Sequence, residues 1–194
     1  MLWEILITGF GGQGILLAGQ LIAYAGLRED RHVAWIPSYG PEMRGGTANC
    51  AVTVADAPIS CPLVTEPLVL IAMNQPSLDK YEPAVLSGGL VLYNSSLINR
   101  GGGRNDIRVL DVPANALAEE LGNVRVASVV MVGALIGATQ IVSLGTAMEA
   151  LADVLPPHRH GLLPLNREAL ARGALIGSRC RFSPAGGVMP GGAR

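Results

Sequence analysis

Charge and aromatic side chains are both scarce in this 194-residue chain: 15% of its residues are charged and 4% aromatic. With 14 Lys and Arg against 15 Asp and Glu, the formal net charge is −1. That balance leaves no basic stripe and argues against nucleic acid as a partner. The three cysteines, Cys50, Cys61 and Cys180, are scattered and form no C-x-x-C pair. From this chain alone they cannot furnish the ligands of a zinc site or an iron–sulfur cluster. Their odd number, with no secretory leader, predicts a reducing cytoplasmic setting.

Catalytic pairs are missing too. His32 opens a strand, His158 and His160 sit in the turn PPHRHG, and Ser95 and Ser96 have no histidine near them in sequence. No catalytic or metal-binding residue is expected. Between Val126 and Met148 there is no charged residue at all. Ser128, Thr139, Gln140, Ser143 and Thr146 nevertheless dilute the run, and it has no aromatic belt or basic flank. It reads as two helices and a turn, with no membrane span.

What the chain does have is small aliphatic side chains and 25 glycines, the composition of a sheet covered by helices on both faces. A surface this poor in charge predicts that part of it is buried against another chain. Strands are predicted over residues 4–8, 32–36, 48–54, 68–73, 90–93 and 108–112. Helices are predicted over 14–27, from a Ser77 cap to about Val85, from Pro113 to Leu121, through the uncharged stretch, and from an Asn166 cap to Ile176. The first strand, helix and second strand should form one parallel crossover unit. The fold class is α/β: one open, mostly parallel sheet in a single domain over 1–177. A Gly/Pro-rich tail over 178–194 is not expected to pack by itself.

The stretch TGFGGQG joins the first strand to the first helix, with Gly9, Gly11 and Gly14 in G-x-G-x-x-G spacing around Gly12 and Gln13. Glycines here feed a helix N-terminus whose free amides favour an anion such as a phosphate or carboxylate. A dinucleotide site would also need an acidic residue at the end of the second strand. That strand runs Trp35-Ile36-Pro37-Ser38-Tyr39 with no carboxylate before Glu42, so NAD(P) and FAD are disfavoured. A tight turn without ligand remains the alternative.

A second loop, GPEMRGGT, lies at the same sheet edge and holds Glu42, Met43, Arg44, Gly45, Gly46 and Thr47. Arg44 could clamp an anion or pair with Glu42. Asn74 and Asn94 end two further strands, where they could contact a ligand or cap turns. On residues alone this is a binding domain without chemistry of its own.

Four stretches in order, GFGGQG, PSYGPEMRGGTANCAV, AMNQPSLDKYE and YNSSLI, resemble the gamma subunit of 2-oxoacid:ferredoxin oxidoreductases. The likeness spans about residues 4–176 and is strongest to the 2-oxoglutarate and 2-oxoisovalerate branches. It implies a Rossmann-like domain that holds no cofactor itself. The complex it implies oxidatively decarboxylates a 2-oxoacid with coenzyme A (CoA), giving acyl-CoA, CO2 and reduced ferredoxin. The resemblance implies thiamine diphosphate with Mg2+ held by alpha and beta subunits, and 4Fe–4S clusters in beta or a ferredoxin-like delta subunit. The matching residues Gly9, Gly11, Gly12, Gln13, Gly14 and 42–47 would then face CoA or the alpha subunit. Ser128 stands where the resemblance leads one to expect asparagine.

Overall fold

The computed structural model describes residues 1–38, 47–100 and 103–184. Six strands form one sheet: β1 (Leu2–Phe10), β2 (His32–Ser38), β3 (Thr47–Ala55), β4 (Val69–Ala72), β5 (Leu90–Asn94) and β6 (Arg108–Val112), in the order β2-β3-β1-β4-β5-β6. The short runs VLIA and LVLYN are buried on both faces, as strands between layers of helix must be. Only β3 runs against the others; β1, β4, β5 and β6 pair in parallel.

The predicted crossover is therefore corrected in one respect. β1 and β2 do point the same way, but β3 lies between them and pairs antiparallel with both. Apolar runs identify strands without stating their neighbours, and the β2–β3 hairpin inserts itself where a parallel partner was expected.

The helices are α1 (Ile15–Arg28), α2 (Gln75–Tyr81), α3 (Ala114–Glu120), α4 (Ala127–Thr139), α5 (Leu144–Val154) and α6 (Leu163–Gly177). On one face α1, α4 and their neighbours pack on Ile5, Ile7, Val52, Ile71, Leu90 and Leu92. On the other, Leu78 of α2 joins Leu6, Leu70 and Val91. Every residue of α4 except Gly137 is buried, which explains its lack of charge. It is enclosed by α1, α3, α5, α6 and the sheet. No helix among the described residues is long and apolar enough to cross a membrane.

Three local expectations differ. Asn74, not Ser77, caps α2: its Oδ1 accepts from the Ser77 amide at 2.9 Å. Asn166 lies inside α6, where its side-chain amide donates to the Leu162 carbonyl at 2.8 Å. Ser77 and Asn166 are both of the capping type, but each lies three or four positions past the true cap. Leu175, read as a packing residue of α6, is 65% exposed.

The chain also continues to pack past Gly177. Phe182 is buried against Trp3, with ring centroids 6.1 Å apart, and its amide donates to the Ala138 carbonyl at 2.7 Å. Arg108 Nη1 holds the neighbouring Arg181 carbonyl at 3.0 Å.

Cys50 is fully buried, donates to the Ile15 carbonyl at 3.4 Å, and burial pushes its thiol up to about 12. Only the thiolate reacts, so at pH 8 a maleimide should label exposed Cys61 within minutes and leave Cys50 untouched until the chain unfolds. Native protein keeps the Cys50 proton to higher pH than unfolded chain does. Its contribution to stability is therefore full below about pH 9 and falls as pH rises towards 12. Rapid labelling of Cys50 in folded protein would contradict this packing.

Candidate functional site

The sheet changes direction of winding at β1. From β1 the chain passes through α1 to the β2–β3 side, then crosses back to β4 on the other side of β1. Because α1 and α2 cover opposite faces, their starts leave a crevice at the carboxyl ends of β1 and β4. In open α/β sheets this is where ligands bind. The glycine loop follows β1 directly into that crevice.

Its glycines have separate reasons. Gly9 is buried, and a Cβ there would come within 2.6 Å of Ile15 Cδ1 and 2.9 Å of Met73 Cβ. Gly12 and Gly14 adopt φ of 90° and 77°, the left-handed region that side chains disfavour. Gly11 and Gly12 are exposed.

Gln13 bridges the two halves of the crevice. Its Oε1 accepts from the Phe10 amide at 2.7 Å and from Asn74 Nδ2 at 3.2 Å, while its Nε2 donates to the Met73 carbonyl at 3.3 Å. Gln13 therefore fixes the loop's shape, and Asn74, tied to both Gln13 and Ser77, braces it from α2. Asn94 is spent similarly at the end of β5: its Nδ2 donates to Asn115 Oδ1 at 2.8 Å and its Oδ1 accepts from the Ser96 amide at 3.3 Å.

The mouth of α1 is not filled by these bonds. Gly14, the N-cap residue, gives no side-chain cap. Among the described residues no partner is found for the amides of Gly11, Gly12 and Gly14. The first-turn amides of a helix have no partner within it. Together they form a cluster of N–H groups without a partner among the described residues, at the positive end of a 14-residue helix.

Sequence reasoning passed over Ser128 as a site residue. It is the second residue of α4, is 1% exposed, and its hydroxyl occupies the space a Cβ on Gly14 would take. Its signal was a polar residue inside an uncharged stretch. Glu42, Met43, Arg44, Gly45 and Gly46 lie outside the described residues, as does the side chain of Thr47, whose backbone begins β3 opposite Phe10.

The inserted β3 gives a second reason against a dinucleotide. The acidic residue that reads a ribose belongs on the strand next to β1. Here β2 is one strand further out, a displacement of about 4.8 Å. No group of three or more His, Cys, Asp or Glu able to hold a metal ion occurs among the described residues.

The pattern of the family described as pyruvate ferredoxin/flavodoxin oxidoreductase matches residues 4–176, nearly the whole chain. The chain belongs to this family. Among its relatives, ketoisovalerate oxidoreductase subunit VorA of Methanothermobacter thermautotrophicus is 44% identical over 130 residues. That match takes in 67% of this chain and 27% of VorA, so the chain spans about a quarter of that relative's length. The 2-oxoglutarate synthase subunit KorC of Methanocaldococcus jannaschii is 37% identical over 79% of this chain and 83% of its own. A crystal structure of a keto/oxoacid ferredoxin oxidoreductase gamma subunit from Geobacter sulfurreducens superposes with a TM-score of 0.79 at 29% identity. It covers 92% of this chain and 99% of that one. The α/β sheet described above is thus the fold of that gamma subunit.

Proposed function

We propose that this chain is the gamma subunit of a 2-oxoacid:ferredoxin oxidoreductase, and that 2-oxoglutarate is the acid used. The observation that carries the reading is the open cluster of amides at the switch point of a family fold. Likeness to KorC along most of both chains supports 2-oxoglutarate. The higher identity to VorA favours 2-oxoisovalerate as a second reading.

A domain that is nearly all of KorC, yet a quarter of VorA, is one that works against a further polypeptide. The scarcity of surface charge fits such an interface. The partners are alpha and beta subunits, with a delta subunit where clusters are carried separately, and ferredoxin is the electron acceptor. Thiamine diphosphate with Mg2+ and the 4Fe–4S clusters supply the decarboxylation and the electron relay on those subunits. This chain's part is binding: the amides of Gly11, Gly12 and Gly14 and the first turn of α1 receive an anionic group of CoA, and Arg44 is the cation we assign to it. Gln13, Asn74 and Gly9 hold that loop in place. The setting we assign is the reducing cytoplasm that the odd, scattered cysteines suggest.

Co-expression with its partner subunits tests the assignment. The purified complex is expected to reduce a viologen dye with 2-oxoglutarate only when CoA is present. Activity confined to 2-oxoisovalerate would select the second reading. A chain that never co-purifies with a thiamine diphosphate-binding subunit would remove both.

A further inference from the structure

Two helices begin at the same point. α1, of 14 residues, lacks a side-chain cap, as do α3, α4 and α6, and α4 runs on directly from the 3-10 turn Val124–Val126, whose start Asn123 caps. Between the starts of α1 and α4 lies Ser128. Its Cβ is 3.1 Å from where a Cβ on Gly14 would sit, and its hydroxyl is nearer still. That hydroxyl has no hydrogen-bond partner among the described residues although the residue is 1% exposed. Buried hydroxyls are nearly always bonded, and one left unbonded destabilises the fold that contains it. Alanine would fill most of the same space without that penalty. A serine kept in this state is explained if its bond forms only in another state of the crevice.

We propose that Ser128 is a positioning residue for the anion site: its hydroxyl supports Gly14 and gains an acceptor when an anionic oxygen seats on the glycine loop. The inference rests on the reading of that loop as the receiver of the CoA anion. The positive end of α1 and one unspent O–H donor then converge on the same negative charge. Both its support of Gly14 and its own donation bear on the anion, so the effect of Ser128 falls on CoA and not on the 2-oxoacid.

The test uses Ser128→Ala and Ser128→Cys in the assembled complex and in the full chain. Cysteine keeps the space and loses most of the donor strength. In both variants the KM for CoA should rise about tenfold while the KM for the 2-oxoacid stays unmoved. The ligand-free chain carrying Ser128→Ala should melt about 2–4 °C higher than wild type, because an unsatisfied hydroxyl is gone. A purely space-filling role predicts wild-type KM for CoA in Ser128→Cys, and a bonded structural hydroxyl predicts a lower Tm in Ser128→Ala; either result overturns the proposal. Gly12→Asp separates the two levels. If it raises the KM for CoA and Ser128→Ala does not, the role of Ser128 falls and the glycine-loop reading stands. If neither variant moves it, the reading itself falls.

Discussion

Gly173→Val should lower the Tm of the chain by about 10 °C or more, a loss of about 3 kcal/mol or beyond. The reason is a reciprocal crossing of α4 and α6. A Cβ on Gly133 would run into the Leu170 carbonyl, and one on Gly137 into the Ala174 carbonyl. Gly173 and Gly177 of α6 meet the carbonyls of Val130 and Ala134 in the same way. These obstacles are backbone atoms, which cannot swing aside as a flexible side chain can. Valine at Gly173 must push the two helices apart, and α4 is buried all round, so the whole central layer loosens with it. Gly145→Ala is the control. It lies exposed in the first turn of α5, with nothing nearer to its Cβ site than Ser143 Oγ at 3.8 Å. There the same loss of glycine should leave stability unchanged or raise it by up to about 1 kcal/mol. Thermal melts followed by circular dichroism decide the matter; a Gly173→Val protein melting within 2 °C of wild type would refute the close crossing.

The second large effect concerns charge. Gly12 is exposed, nothing among the described residues lies within 4 Å of the site of its Cβ, and its φ of 90° is one that Asp and Asn tolerate better than other side chains. Gly12→Asp should therefore fold and place a carboxylate beside the open amides. Two unit charges about 5 Å apart near a protein surface repel by about 3 kcal/mol. The KM for CoA is expected to rise between about ten- and a hundredfold, with the KM for the 2-oxoacid unmoved. Added salt should narrow the difference. Gly12→Asn carries the same shape without the charge and should stay within a few-fold of wild type. Equal values of the CoA KM for the Asp and Asn variants would show that no anion approaches the loop.

Much of this fold could be read from residues. The runs around Ile5, Leu70 and Leu92 are apolar on both faces because helices cover both sides, and each marks a strand in its observed place. The glycine loop was legible because its position between strand and helix is itself the mechanism. Neighbour relations were not. Nothing in HVAWI or ANCAVTV says that the second and third strands pair with each other and separate β2 from β1. Asn74 and Ser77 are both good caps, and only the hydrogen bond between them shows which serves. Phe182 sits in a Gly/Pro-rich context that gave no warning of its burial against Trp3. Gln13 is legible as part of the glycine loop, but that it braces the loop depends on where Met73 and Asn74 arrive from sixty residues away.

Hydrogen–deuterium exchange of the assembled complex, with and without CoA, addresses the glycine loop itself. Of the amides from Gly11 to Leu17, only that of Gln13 has an acceptor among the described residues, the Phe10 carbonyl at 3.2 Å. Saturating CoA should slow their exchange strongly, with little change at the opposite edge of the sheet around Trp3 and Phe182. Unchanged exchange over Gly11–Leu17 in a complex that is turning over CoA would contradict the proposed role of the loop.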